Sequence, residues 1–275
     1  MLKGRFDMHT HTTASDGVFT PAGLVHMAYE LGLSGLAITD HDTLHGLDEA
    51  GDAIAALNMR LLPGVELSCE YAFSGGPARE VHMLGYFIEK PGEELYARLA
   101  ELQAYRWRRG QKILDILAAL GMDIRGDWTA AYAENGSLGR GLIGRKLVEA
   151  GYAADTDEAF DRWLSPGKPA CVPRLKLAAA EAIELLHRNG AVAVLAHPVQ
   201  IGDDRLIKPL AEAGLDGMEC SHPDHNTAQE QHYRNMAREL KLAVSGGSDC
   251  HTGELGSHTA TEQELAVLLG RYCKR

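Results

Sequence analysis

The sequence predicts an α/β fold in which seven strands form a closed or nearly closed barrel that carries one helical insertion. Strand-like and helix-like segments alternate along the first 90 residues and again after Arg174. Residues 93–173 break this alternation, because their apolar residues recur at helical spacing and no strand pattern appears. Histidines and carboxylates follow most of the strands, as is typical of a barrel whose strand ends meet on one face.

The first half of the barrel begins with a strand at 5–10. Thr20 and Pro21 then start a helix, as an N-cap and a proline at the first helical position, and Gly32 ends it after Leu31. The next elements are a strand at 35–39, a helix from about His45 to Leu57, and strands at 60–67 and 81–87.

The second half repeats helix and strand in regular order. The predicted helices cover 176–189, 206–213 and 227–240, and the strands that follow them cover 191–196, 216–221 and 242–246. A capping box from Thr261 to Glu264 opens the last helix. Such repeated units favour a parallel sheet. We therefore divide the chain into a barrel, residues 1–92 and 174–275, and an insertion, residues 93–173.

The insertion permits two interpretations. It is either a lid over the strand ends or a packing decoration, and the sequence favours neither. Basic residues are concentrated there, although the whole chain carries a net charge of -11. For the run at 98–112 we expect an ordinary solvated helix face. Arg140 and Lys168 lie in glycine-rich stretches, where a phosphate contact is the better expectation.

Composition excludes several classes of protein. No apolar stretch is long enough to span a bilayer, and residues 1–5 run into the first strand without a secretory segment. Five cysteines without a Cys-x-x-Cys motif argue against a disulfide framework and favour the cytoplasm. The net negative charge argues against binding to duplex DNA.

Histidines and carboxylates at the strand ends predict a metal site. His9 and His11 are two residues apart on a strand and therefore share one face, and each ring nitrogen there needs a partner. Glu66 lies inside an apolar run, where a carboxylate is rarely tolerated without a cation. The remaining candidates are Asp16, His41, His82, His197, Asp249 and His251, with Asp40 as a possible orienter of His41. Imidazole and carboxylate together indicate a polynuclear site for divalent metals.

Other candidates lie beside this set. His222 and His225 follow the sixth strand and are close enough to contact a substrate, with His222 the better placed. Ser137 and Arg145 join Arg140 and Lys168 as candidate substrate contacts. Cys250 lies between two ligands but points away from them, so we interpret it as structural.

These motifs together resemble the PHP family, the polymerase-and-histidinol-phosphatase phosphoesterases. The segments that carry the resemblance are His9-x-His11, Thr39-Asp40-His41, Gly64-Val65-Glu66, Ala196-His197-Pro198 and Ser248-Asp249-x-His251. The insertion is similar to the branch that acts on nucleotide 3′,5′-bisphosphates and short RNA 5′ ends. Gly141-Leu142 stands where that branch would have Pro-His.

The resemblance implies a distorted seven-stranded (β/α)7 TIM-like barrel with two or three metal ions. One ion would take His9, His11, Glu66 and Asp249, a second would take Glu66, His82 and His197, and a third would take Asp16, His41 and His251. Manganese is the first choice, with iron or zinc as alternatives. The expected chemistry is phosphoester hydrolysis by a hydroxide that bridges two metals, and no residue stands out as a general acid.

The leading hypothesis is a phosphatase that removes the 3′-phosphate from a nucleoside 3′,5′-bisphosphate. The alternatives are a 5′-to-3′ exoribonuclease on short RNA and a histidinol-phosphate phosphatase. A metal-binding scaffold without catalysis and an amidohydrolase are the rivals from other classes. The full ligand set disfavours the scaffold, and no inward strand lysine supports the amidohydrolase.

Overall fold

Seven main strands form a barrel-shaped sheet in the computed structural model, which describes residues 4–55, 57–73, 76–126, 138–173 and 175–274. The main strands are β1 Arg5–Asp7, β2 Gly35–Ile38, β3 Arg60–Ala72, β4 Ala78–Phe87, β6 Ala191–Leu195, β7 Gly217–Ser221 and β8 Ala243–Gly246. Two strands of two residues each, β5 Leu177–Ala178 and β9 Ala260–Thr261, extend the sheet. The strand order is β8-β7-β6-β4-β3-β2-β1-β9, with β5 paired to β3.

The sheet nearly closes between its first and last main strands. The N–H of Met8 donates to the carbonyl of Gly246 at 3.2 Å, and Thr10 and Cys250 form a parallel bridge. Gly247 permits this approach, since a Cβ atom there would lie 2.4 Å from the backbone nitrogen of His9. The predicted α/β barrel is therefore confirmed, and its near-closure brings residues 8–10 next to residues 246–250.

The sheet is not wholly parallel, and here the expectation from the sequence was wrong. Strand β4 runs antiparallel to both β3 and β6. The connection from Ala72 to Ala78 is too short for the crossover that two parallel strands require. Both strands are also longer than the predicted ranges, 60–67 and 81–87. Their additional residues are polar and partly exposed, so they lack the apolar pattern by which a buried strand is predicted.

Helices cover the outside of the barrel. They are α1 Pro21–Leu31, α2 Leu47–Ile54, α6 Ala179–Arg188, α7 Ile207–Glu212, α8 Thr227–Glu239 and α9 Glu262–Leu269, with short 3₁₀ turns at Pro198–Ile201, Asp204–Leu206 and Tyr272–Lys274. The capping signals hold: Thr20 caps α1, Gly32 ends it with a positive φ of 75°, and Thr261 and Glu264 form the capping box. In the described part of the chain no helix combines the length and the apolar character that crossing a membrane requires.

All the regular elements that the structure describes in the segment 93–173 are helical. It contains α3 Glu93–Ala119, α4 Arg140–Glu149 and α5 Thr156–Ala159, which continues as a π-turn, Phe160–Leu164. Apolar side chains of α3, α4 and the π-turn form a hydrophobic cluster of their own. The first half of α3 packs instead in the barrel core, through Leu95, Leu99 and Leu102. One long helix therefore belongs to both cores.

The basic run of α3 is only partly a solvated face, which corrects the expectation for 98–112. Arg108 and Lys112 are exposed, but Arg106 and Arg109 are buried. Arg106 donates to the Asp42 carboxylate at 2.8 Å, and Arg109 donates to the carbonyl of Val172 at 2.7 Å. Arg106 therefore faces the barrel and Arg109 faces the rest of the insertion, and both guanidinium groups make internal contacts.

Candidate metal centre

Glu66 lies at the middle of the predicted ligand set, on β3, with its side chain 1% exposed. Its Oε2 is 3.5 Å from Nε2 of His9 and 3.3 Å from Nε2 of His11. Oδ1 of Asp249 lies 3.3 and 3.1 Å from the same two nitrogens. Ligand atoms lie about 2.0–2.2 Å from a metal such as zinc, so neighbours about 3 Å apart can share one ion.

The other oxygen of Glu66 faces a second group. Its Oε1 is 2.8 Å from Nδ1 of His82 and 3.1 Å from Nε2 of His197. Nδ1 of His41 lies 2.9 Å from Oε2 of the same carboxylate. Glu66 thus stands between two groups of imidazoles, where a carboxylate can bridge two cations.

A third group surrounds Asp16. Its carboxylate is 3.2 Å from Nε2 of His251, 3.8 Å from Nδ1 of His11 and 3.9 Å from Nε2 of His41. These four side chains lie close enough together to hold one ion. The structure therefore brings all nine predicted ligands into one connected cluster, formed by the ends of several strands.

The cluster contains buried polar atoms that a cation would satisfy. Oε2 of Glu66 and Nδ1 of His41 lie 2.9 Å apart without the angles of a hydrogen bond, and Nδ1 of His11 is also buried without a hydrogen-bond partner among the described residues. The Nε2 atoms of His9 and His11 also face each other at 3.2 Å. Leaving such atoms unpaired costs about 1–3 kcal/mol each. The residues present fit divalent metal ions.

Two of the proposed ligands have a strained backbone. His197, directly after β6, has a φ of 25°, and Asp249 has a φ of 50°. Residues other than glycine rarely adopt such angles, which cost roughly 1–3 kcal/mol and concentrate at functional sites. The backbone at both positions turns so that the side chains point into the cluster.

Charges inside the cluster perturb the pKa values of its members. Burial opposes the ionisation of Glu66, but the imidazoles of His41, His82 and His9 outweigh it and hold the pKa of this carboxyl well below its usual range. Burial lowers the pKa of His41 to about 4, although Glu66 and Asp16 oppose this shift. At His11 burial acts in the same direction, but the carboxylates of Asp249 and Glu66 outweigh it and raise the pKa to about 10, so a metal ion that binds there would displace a proton.

Asp40 and Asp7 accept hydrogen bonds from the loops that carry several of the proposed ligands. We expected Asp40 to orient His41, but it accepts hydrogen bonds from the backbone and hydroxyl of Thr12 and from the hydroxyl of Ser15. It thereby holds the turn from His11 to Asp16. Asp7 accepts from the backbone N–H and the hydroxyl of Ser248, next to Asp249. Burial raises the pKa of Asp7 to about 6.

Two carboxylates were not predicted from the sequence, and each of them contacts the second ring nitrogen of a proposed histidine ligand. Oε1 of Glu219, on β7, lies 3.2 Å from Nδ1 of His9, and Oε1 of Glu80, on β4, lies 3.3 Å from Nε2 of His82. Contacts of this type fix ring orientation in metal sites. The signal for Glu219 was present, because it interrupts an apolar strand as Glu66 does. Glu80 is partly exposed and gave no such signal.

The candidate substrate contacts from the insertion are only partly near the cluster. Arg145 donates to the carbonyl of Asp16 at 3.1 Å, so α4 lies directly beside a proposed ligand. Arg140 donates to the carbonyl of Leu164 at 3.2 Å. Lys168 pairs with Asp161 at 3.1 Å, on the surface. Ser137 lies outside the described residues.

The two histidines after β7 differ in their placement. His222 is buried, and its Nε2 lies 3.4 Å from Oδ2 of Asp249, at the edge of the cluster. His225 is also buried, but it donates to the carbonyl of Cys220. Cys250 packs in an apolar cluster with Leu24 and other residues, in line with the structural role predicted for it.

Comparison with known proteins places the chain among metal-dependent phosphoesterases. The model of the PHP domain family matches residues 7–269. A 5′-3′ exoribonuclease of Haemophilus influenzae is 35% identical over 90% of this chain and 90% of its own length. A 3′,5′-nucleoside bisphosphate phosphatase of Chromobacterium violaceum is 30% identical over 94% of this chain and 92% of its own length. A structure described as a metal-dependent phosphoesterase, from Bifidobacterium adolescentis, superimposes with a TM-score of 0.83 at 29% identity, covering 97% and 96% of the two chains.

Proposed function

Since the chain belongs to the PHP family and is a metal-dependent phosphoesterase, we propose that it hydrolyses the 3′-phosphate of nucleoside 3′,5′-bisphosphates, giving the 5′-monophosphate and phosphate. The observation that carries this proposal is the ligand cluster around Glu66, with α4 of the insertion against it. A bisphosphate has two anionic ends. The cluster would hold the phosphate that is cut, and basic residues of the insertion would hold the other.

A second candidate is a 5′-to-3′ exoribonuclease on short RNA. The relatives at 34–35% identity that carry this name favour it. The two activities concern the same bond, since each cuts a phosphoester at the 3′-oxygen of a nucleotide that bears a 5′-phosphate. They differ in whether the 3′-phosphate is terminal or continues into a chain. The same ligand cluster serves both.

The nature of the ligands favours manganese in two or three positions, with iron or zinc as alternatives. Histidine and carboxylate ligands without cysteine suit these ions, and availability decides among them in the cell. Bound ions would supply Lewis-acid polarisation of the phosphate and an activated water. The chain's own part is to hold Glu66 ionised and the histidines in fixed orientations.

A comparison of substrates tests the proposal. The manganese-loaded enzyme is given a nucleoside 3′,5′-bisphosphate, the 3′- and 5′-monophosphates, a 5′-phosphorylated trinucleotide of RNA, and histidinol phosphate. Because the uncut phosphate supplies remote binding energy, we expect kcat/KM to be highest for the bisphosphate, with the 5′-monophosphate as product. If the monophosphates were hydrolysed with the same kcat/KM as the bisphosphate, the proposal would be contradicted. A higher kcat/KM for the trinucleotide would instead support the exoribonuclease activity.

Removal of a basic side chain from the insertion tests the second anchor. Arg140→Ala is expected to lower kcat/KM for the bisphosphate about ten- to a hundredfold without loss of metal, since a charge-assisted phosphate contact contributes roughly 1.5–3 kcal/mol. Arg162→Ala is the matched control, because Arg162 belongs to the same segment but pairs with Glu158 and stacks on Trp163. Equal kinetics of both variants and the wild type would exclude Arg140 as an anchor.

A further inference from the structure

Glu219 connects two proposed ligands that serve different parts of the metal centre. Its side chain is fully buried on β7. Oε1 and Oε2 lie 3.2 and 3.3 Å from Nδ1 of His9, and Oε2 also accepts a hydrogen bond from the backbone N–H of His197 at 2.8 Å. His9 turns its Nε2 towards Asp249, whereas His197 turns its Nε2 towards Oε1 of Glu66. One carboxylate therefore contacts a member of each group.

We propose that Glu219 is a positioning residue that selects the tautomer of His9 and holds the strained backbone of His197. The proton of the His9 ring lies on Nδ1, facing Glu219, which leaves the Nε2 lone pair for a metal ion. The hydrogen bond from His197 keeps its backbone at a φ of 25°. This inference rests on the metal-dependent function proposed above.

The carboxylate of Glu219 faces both donors with acceptor oxygens only, and a glutamine side chain cannot do so. In Glu219→Gln one oxygen is replaced by an NH₂ donor. The backbone N–H of His197 can only donate, so the remaining oxygen is expected to face it. The NH₂ group then takes the place of Oε1, the nearer oxygen to Nδ1 of His9, and favours the tautomer that accepts at Nδ1 and carries its proton on Nε2. A protonated Nε2 cannot bind a metal ion.

Asp216 offers a matched control in the same barrel. Its Oδ2 lies 3.0 Å from Nε2 of His187 and accepts from the backbone N–H of Ala193 on β6 at 2.8 Å. Like Glu219, Asp216 is a buried carboxylate that contacts a histidine ring and a backbone N–H, although its Oδ2 makes both of these contacts. His187 is not part of the metal centre. Asp216→Asn therefore removes the charge of a buried carboxylate beside a histidine that lies outside the metal centre.

The experiment measures manganese affinity and stoichiometry of wild type, Glu219→Gln and Asp216→Asn, by titration and elemental analysis. We expect Glu219→Gln to bind manganese about ten- to a hundredfold more weakly, while Asp216→Asn binds like the wild type. Wild-type affinity in both variants, or an equal loss in both, would overturn the role of Glu219. If the wild type itself binds no divalent metal, that result would contradict both the proposed function and this inference.

A measurement on the wild type keeps the inference testable if Glu219→Gln does not fold. The zinc-loaded protein is studied by ¹⁵N NMR of its histidine rings, with His9→Asn used to assign the His9 signals. The expected spectrum shows a protonated Nδ1 and a metal-bound Nε2 for His9. A His9 ring with its proton on Nε2 would overturn the assignment of its tautomer.

Discussion

Glu66→Gln is expected to remove most of the bound metal and to lower kcat more than a hundredfold. Glutamine keeps the shape of the side chain but removes the negative charge between the two imidazole groups that surround Glu66. Loss of a residue that merely orients a ligand already costs about ten- to a hundredfold in metal affinity or activity, so loss of a bridging ligand should exceed it.

Elemental analysis and phosphate release from the same preparation measure both effects. Glu70→Gln is the control, because Glu70 lies on the same strand, β3, and is exposed. We expect it to match the wild type in both measurements. A Glu66→Gln variant with full metal content and full turnover would remove Glu66 from the ligand set, and with it the proposed two-ion centre.

Arg106→Met is expected to lower the free energy of unfolding by about 3–5 kcal/mol, the usual cost of removing one partner of a buried ion pair. The side chains of Arg106 and Asp42 are 8% and 3% exposed, and their atoms lie 2.8 Å apart. Asp42 also accepts from the backbone and hydroxyl of Ser68. Without Arg106 the buried Asp42 carboxylate loses a cationic partner.

Urea unfolding of Arg106→Met and Arg98→Met measures this difference. Arg98 lies on the same helix, but its partners Glu101 and Glu181 are largely exposed. Such surface pairs contribute about 0–1 kcal/mol, so Arg98→Met should change the stability little. Equal losses in the two variants would show that the Arg106–Asp42 pair is worth no more than a surface contact.

Most of the barrel could be predicted because its signals are local. A threonine cap and a glycine stop mark the two ends of α1, and a capping box marks the start of α9. Apolar runs mark the strands β2, β6 and β7. The direction of β4 could not be obtained this way, since it depends on pairing with β3 and β6. Helix α2 is shorter than predicted, since it begins after its N-cap, Gly46, and its last residue is Ile54.

The proposed metal ligands could be predicted because histidine and carboxylate are conspicuous at the ends of apolar strands. Their partners were harder to find. Arg106 could not be separated from its exposed neighbours by sequence, since burial of one residue in a basic helix depends on what packs against it. Arg145 contacts the carbonyl of Asp16, a contact between distant segments that no local pattern encodes. Glu219 was detectable in principle, by the same signal that identified Glu66.

Helix α3 limits how segments could be exchanged between relatives to alter substrate range. Its 27 residues extend about 40 Å at 1.5 Å per residue, and its two halves are anchored in different cores. A chimera joined before Glu93 would import foreign side chains at Leu95, Leu99 and Leu102, which have to fit the recipient barrel. A junction inside the helix, after Arg106, would keep the barrel core and the Arg106–Asp42 pair native and transfer only the distal part. For recombination, the useful boundary thus lies within a continuous helix rather than in a loop.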